Sequence, residues 1–133
     1  MSDSPEVDDK VLLITGAGSG IGAATARRMA GEYRLVLAGR RIEPLQELAA
    51  ELGGDARALA VTCDVGEWDQ VEAMTAAALE KFGRIDAVFA NAGFGATRGF
   101  LEETPEQWKS MILTNVLGPD LTIRANPPPL LAR

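Results

Sequence analysis

The stretch Thr15-Gly16-Ala17-Gly18-Ser19-Gly20-Ile21-Gly22 is the part of this sequence best suited to chemistry. Glycines at alternate positions let a backbone turn tightly and come close to a ligand. A loop of this kind running into a helix offers free backbone N–H groups and the positive end of the helix dipole to an anion such as a diphosphate. One register fits the general dinucleotide fingerprint, Gly18-x-Gly20-x-x-Ala23. The pattern Thr-Gly-x-x-x-Gly-x-Gly fits better, through Thr15, Gly16, Gly20 and Gly22. The plain alternative is a tight strand-to-helix turn that holds nothing. Against it, four glycines within seven residues cost backbone entropy and promise nothing for packing.

The elements that must carry this loop alternate. Val11 to Thr15 is aliphatic and β-branched on both faces, as in a strand buried between helix layers. A helix follows from about Gly20 to Ala30, then a strand from Arg34 to Ala38 ending at Gly39. Ile42, Leu45, Leu48, Ala49 and Leu52 repeat at helical spacing until Gly53-Gly54 stops them. Arg57 to Val61 is a third strand. Val71, Met74, Thr75, Ala78, Leu79 and Phe82 mark one face of a helix that Gly83 is placed to cap. Asp86 to Ala90 is a fourth strand, followed by the loop Asn91-Ala92-Gly93-Phe94-Gly95. Thr104-Pro105-Glu106-Gln107 opens a further helix, with Thr104 as N-cap, Pro105 at the first position and Gln107 completing a capping box. The order βαβαβαβα with short connections implies a parallel sheet covered by helices on both faces.

Composition narrows the chemistry. The chain has 133 residues, room for one domain. Thirteen basic and nineteen acidic residues leave a net charge of −6, against a general nucleic-acid binder or a polybasic membrane anchor. With no histidine, imidazole acid–base chemistry and histidine metal ligation are excluded. Cys63 is the single cysteine, so no internal disulfide forms and no multi-cysteine metal site exists; it reads as a small core residue. No apolar run reaches the roughly 18 residues of a membrane span, so neither metal nor membrane is expected, and the default compartment is the cytoplasm.

Three further motifs follow the glycine loop in order. Cys63-Asp64-Val65 comes after the third strand, Asn91-Ala92-Gly93 after the fourth, and Asn115-Val116-Leu117-Gly118 in the helix beyond. Together with the loop they resemble the classical short-chain dehydrogenase/reductases over nearly the whole chain. The resemblance implies a Rossmann-type doubly wound sheet, cut after about four strands in the order 3-2-1-4. It implies a dinucleotide held by Gly16, Gly18, Ser19, Gly20, Ile21 and Gly22, with Asp64 and Val65 at the adenine and Asn91, Ala92 and Gly93 beside the adenosine ribose. Asp64 is otherwise a turn-forming Asx residue, and Asn91 a left-handed turn residue. Asn115 shares a helical stripe with Trp108, Met111 and Ile112, so it is expected to point inward. In the family this asparagine belongs to the catalytic set and supports a lysine and an ordered water; the alternative is a structural amide bonded to a neighbouring strand.

The second strand ends at Gly39, where an NAD-binding fold normally carries an acidic residue that grips the ribose hydroxyls. Arg40 and Arg41 follow instead. A guanidinium makes charge-assisted hydrogen bonds to the 2′-phosphate of NADP, whereas a carboxylate repels it. NADP(H) is therefore favoured, with NAD still open; the alternative is that both arginines are solvated loop residues.

The family's chemistry also needs a tyrosine four residues ahead of a lysine. The one tyrosine, Tyr33, has Leu37 at that distance, and Lys10, Lys81 and Lys109 have no tyrosine four places earlier. The sequence therefore reads as an acidic extension (residues 1–10), a dinucleotide-binding domain (11–118) and a truncated helix with a proline-rich tail (119–133). A small carbonyl or alcohol substrate is expected only for a full-length form, with the loop Phe94 to Phe100 bordering its pocket. The open edge at Ala87 to Ala90 points to self-association.

Overall fold

The computed structural model describes residues 10–94 and 101–126; the acidic extension up to Asp9, residues 95–100 and the proline triplet lie outside the described residues. Four parallel strands, β1 (Val11–Thr15), β2 (Arg34–Gly39), β3 (Ala58–Thr62) and β4 (Ala87–Phe89), form one sheet in the order β3-β2-β1-β4. Leu13 on β1 lies between Val36 and Val88. The helices are α1 (Gly20–Met29), α2 (Ile42–Glu51), α3 (Trp68–Phe82), α4 (Pro105–Ile112) and α5 (Gly118–Ala125). A 3-10 turn spans Gly54–Ala56, and a π-helical turn, Leu113–Leu117, joins α4 to α5.

The period-two geometry of a strand divides β1 between two cores. Leu12 and Ile14 join Ala23 and Ala26 of α1 and Leu45 and Leu48 of α2 on one face. Val11 and Leu13 join Val71, Met74 and Ala78 of α3 on the other, where Leu121 and Ala125 of α5 also pack. The doubly wound, four-stranded arrangement expected from the sequence is the one observed.

Local chemistry sets the boundaries. The α3 helix begins at Trp68, ahead of the periodic run from Val71, and its solvated first turn leaves no apolar repeat to mark that start. It ends where Gly83 takes φ +77° and donates its N–H to the Leu79 carbonyl at 2.8 Å. The capping box forms as expected: the Gln107 N–H donates to Thr104 Oγ1 at 3.2 Å, and the Thr104 N–H donates to Gln107 Oε1 at 2.8 Å. The β4 strand, Ala87–Phe89, is one residue shorter at each end than the expected Asp86 to Ala90. Asp86 turns its carboxylate inward, accepting from the Val11 N–H at 2.8 Å and from Arg84 Nη2 at 2.7 Å. The carboxyl ends of the strands converge on one rim, where ligands bind in open sheets of this kind.

Candidate functional site

Thr15 ends β1 with its hydroxyl buried, and Oγ1 accepts the N–H groups of both Asn91 and Ala92 at 3.0 Å. This threonine ties the loop after β1 to the loop after β4. Asn91 Nδ2 donates to the Gly16 carbonyl at 3.3 Å and completes the lock. The glycines divide between two tasks. A Cβ on Gly16 would lie 2.8 Å from Ala92 Cα, and one on Gly22 would lie 2.8 Å from Asn91 Nδ2 and closer still to the Gly16 carbonyl oxygen. The expectation that these glycines do nothing for packing is therefore wrong for Gly16 and Gly22, since the two loops interlock only without side chains there. Gly20 has open space around its Cβ position but takes φ +54°. At Gly18 a Cβ would make only ordinary contact, 3.5 Å from Pro44 Cγ.

Ser19 is the N-cap of α1, yet its hydroxyl caps nothing. The first helical bond is the Ala23 N–H to the Ser19 carbonyl at 3.2 Å, which leaves the amides ahead of it without a side-chain acceptor. No acidic residue stands in the first turn, while Arg27 and Arg28 occupy the last. The first turn of this helix thus carries no carboxylate to compensate its positive end.

A cleft of about 420 Å³ opens beside the loop. Of the residues picked out from the sequence, Gly16, Gly18, Ser19, Arg40, Arg41, Asp64, Val65, Ala92 and Gly93 line it. Four others do not. Gly22 and Asn91 stand behind the wall as support, Gly20 sets the turn, and Ile21 is 70% exposed. Asn91 is not a left-handed residue, because every positive φ among the described residues belongs to a glycine. Its side chain and N–H bonds hold it instead.

Among the lining residues not picked out as binding groups are Glu43, Glu47 and Phe94. Glu43 and Glu47 lie one turn apart near the start of α2, and that i, i+4 spacing was legible in the sequence. Arg40 and Arg41 are exposed and make no ion pair among the described residues. The Arg40 guanidinium lies over the Phe94 ring, 5.3 Å from its centroid. Asp64 takes the Asx-turn role: Oδ1 accepts the Gly66 N–H at 2.9 Å. Its own N–H donates to Gln70 Oε1 at 2.8 Å. Val65 is buried, and a Cβ on Gly118 would meet Val65 Cγ2 at 2.5 Å, which gives the glycine of the Asn115–Gly118 motif its packing reason.

Cys63 is buried at the cleft floor, and burial, with the neighbouring Asp64 charge adding to it, pushes its thiol up to about 11. It is a protonated core residue at neutral pH, as its type suggested.

Asn115 departs from the expected geometry. It sits in the π-helical turn and is exposed, as is Ile112 at 57%. Widening the helix to five residues per bond shifts the stripe that regular spacing would carry inward. Its amide bonds neither a strand nor the core. Oδ1 accepts the Phe94 N–H at 2.9 Å, and Nδ2 donates to the Phe94 carbonyl.

Among the described residues no helix is long and apolar enough to cross a membrane, and no group of three or more potential ligands is placed to hold a metal ion. The family model described as short chain dehydrogenase matches residues 10–133. The chain belongs to the short-chain dehydrogenase family. An uncharacterized oxidoreductase of Staphylococcus saprophyticus is 36% identical over 129 residues, which are 95% of this chain and 55% of that protein. A 3-ketoacyl-(acyl-carrier-protein) reductase from Brucella melitensis, solved with NADH, superposes with a TM-score of 0.85 at 38% identity, over 92% of this chain and 50% of its own. A metagenomic short-chain oxidoreductase solved with NADP also gives 0.85, at 34% identity, over 95% of this chain and 58% of its own. The chain thus spans about half the length of the short-chain dehydrogenase relatives it matches.

Proposed function

We propose that the cleft binds a nicotinamide dinucleotide, NADP(H) in preference to NAD(H), as the cofactor-binding portion of an oxidoreductase that moves a hydride between the nicotinamide and a carbonyl or secondary alcohol. The cytoplasm is its place of action. The observation that carries the reading is the pairing of two features on one cleft. Guanidinium groups at 40 and 41, without an ion pair among the described residues, stand at the end of β2, and a glycine loop lies beside them with no first-turn carboxylate on the helix it opens. Backbone amides and a positive helix end suit the diphosphate, and the arginines suit a 2′-phosphate. Gly18, whose absent side chain nothing in the protein requires, keeps the wall open for the ligand. When bound, the nicotinamide supplies the hydride donor or acceptor.

Titration of the protein with NADPH and NADH, followed by nucleotide fluorescence, tests this. Tighter NADPH binding that falls toward the NADH level in Arg40→Ala supports the reading; equal binding of the two, or no binding, overturns it.

A second reading, a dinucleotide-binding module without chemistry of its own, is favoured by one placement. Tyr33 stands just ahead of β2, at the opposite end of the sheet from the cleft, and no tyrosine precedes a lysine by four residues in these 133. We expect this polypeptide alone to turn over no carbonyl or alcohol. The relay role that the resemblance gives Asn115 needs such a lysine; here the amide holds the Phe94 loop. Self-association between copies is the matching proposal for the surface. Strand β4 pairs only with β1 among the described strands, and Ile112, Val116 and Ile123 are exposed. Sedimentation that finds a monomer at micromolar concentration contradicts it.

A further inference from the structure

We propose that Phe94 is a positioning residue that favours a 2′-phosphate by holding Arg40; the proposal rests on the dinucleotide reading above. Arg40 follows β2 and Phe94 follows β4, and β1 lies between those strands in the sheet. The contact between them therefore joins opposite walls of the cleft that both line. At 5.3 Å from the centroid, the guanidinium is within range of the ring's negative face. The backbone that carries the ring is itself held in place. Both backbone polar groups of Phe94 are taken up by the Asn115 amide, so the residue is fixed from the π-helical turn.

The geometry also sets the sign of the effect. A guanidinium over a ring face is held by its charge and spends none of its N–H donors on an oxygen acceptor there. The contact with Phe94 thus restrains an exposed arginine that has no ion pair among the described residues, while leaving its donors for phosphate oxygens. Restraint before binding removes ordering cost from the binding step. A ligand without the 2′-phosphate gains nothing from it.

The test is a double-mutant cycle on the folded protein with NADPH and NADH as probes. Phe94→Leu is expected to weaken NADPH roughly threefold to tenfold, to leave NADH within about twofold, and to have no further effect in an Arg40→Ala background. Phe94→Tyr, which keeps the ring, is expected to retain selectivity. NADH binding serves as the folding control, and Phe94→Met repeats the measurement if the leucine variant does not fold. An equal loss for both nucleotides, tighter NADPH binding, or the same loss with Arg40 already removed overturns the inference. NADPH binding that is Arg40-dependent but indifferent to Phe94 overturns it alone. Binding of neither nucleotide by the parent protein overturns it together with the reading on which it rests.

Discussion

Replacing Gly22 and Gly18 separately by alanine divides the glycine loop into the part that holds the protein and the part left for a ligand. Gly22 lies inside α1, where alanine is favoured over glycine by about 1 kcal/mol. Its new Cβ would stand 2.8 Å from Asn91 Nδ2 and nearer to the Gly16 carbonyl oxygen, the two partners of one hydrogen bond. Both belong to a locked pair of loops, so relief requires backbone movement. Overpacking of this kind costs about 1–3 kcal/mol, and loss of the Asn91–Gly16 bond adds about 1 kcal/mol. Net destabilisation after the helix gain is about 1–3 kcal/mol, a fall in Tm of roughly 3–15 °C at this size. The Cβ at Gly18 would be 3.5 Å from Pro44 Cγ, an ordinary contact, so Tm should move by less than about 2 °C while NADPH binding falls. Thermal melts by circular dichroism and the nucleotide titration read both. A Gly22→Ala protein that melts at or above the parent temperature refutes the packing argument, and a Gly18→Ala protein that binds NADPH like the parent refutes the open-wall argument.

Thr15→Val removes the acceptor of two backbone amides at nearly constant volume, and is expected to lower stability by about 2 kcal/mol in urea unfolding. The Cys63 thiol, pushed from 9.0 to about 11, should alkylate far more slowly in the native than in the unfolded protein at pH 8. The unfolded thiol ionises first, so stability is fully present below pH 9.0 and is lost as pH rises towards about 11, by roughly 1 kcal/mol per unit; Cys63→Ala should remove that slope. Replacing Glu43 and Glu47 together by glutamine removes two carboxylates from the wall that carries Arg40 and Arg41. NADPH should then bind roughly twofold to fivefold tighter, NADH should change little, and the gain should shrink with added salt.

Element order and type were most legible around the central strands, because β1 and β2 are covered on both faces. Val11 to Ile14 and Leu35 to Ala38 are buried throughout, and such runs read as continuous apolar segments between helical repeats. Caps were legible for a related reason: Thr104 with Gln107, and Gly83, act over a few residues through local bonds. Strand β4 was legible only as an apolar run. Asp86 joins it to β1 just ahead of the ladder, donating its N–H to the Val11 carbonyl and accepting the Val11 N–H on its carboxylate, a contact across 75 residues that no local pattern carries.

The site was legible as a set of motifs but not as a division of labour. Spacing alone treats Gly16, Gly18, Gly20 and Gly22 as one signal, since a missing side chain looks the same whatever would have met it. Only the loop after β4, brought against the first loop by Thr15, distinguishes a glycine pressed by Ala92 or Asn91 from one that faces open cleft. Asn115 fails for a similar reason. Its stripe with Trp108 and Met111 assumes 3.6 residues per turn, and the five-residue π turn at Leu113–Leu117 breaks that assumption at the residue itself. The turn carries its amide to the Phe94 backbone, so a polar side chain assigned to the core becomes the support of a cleft wall. The wall in turn carries the ring beneath Arg40, which is how the helix after β4 reaches the arginine that ends β2.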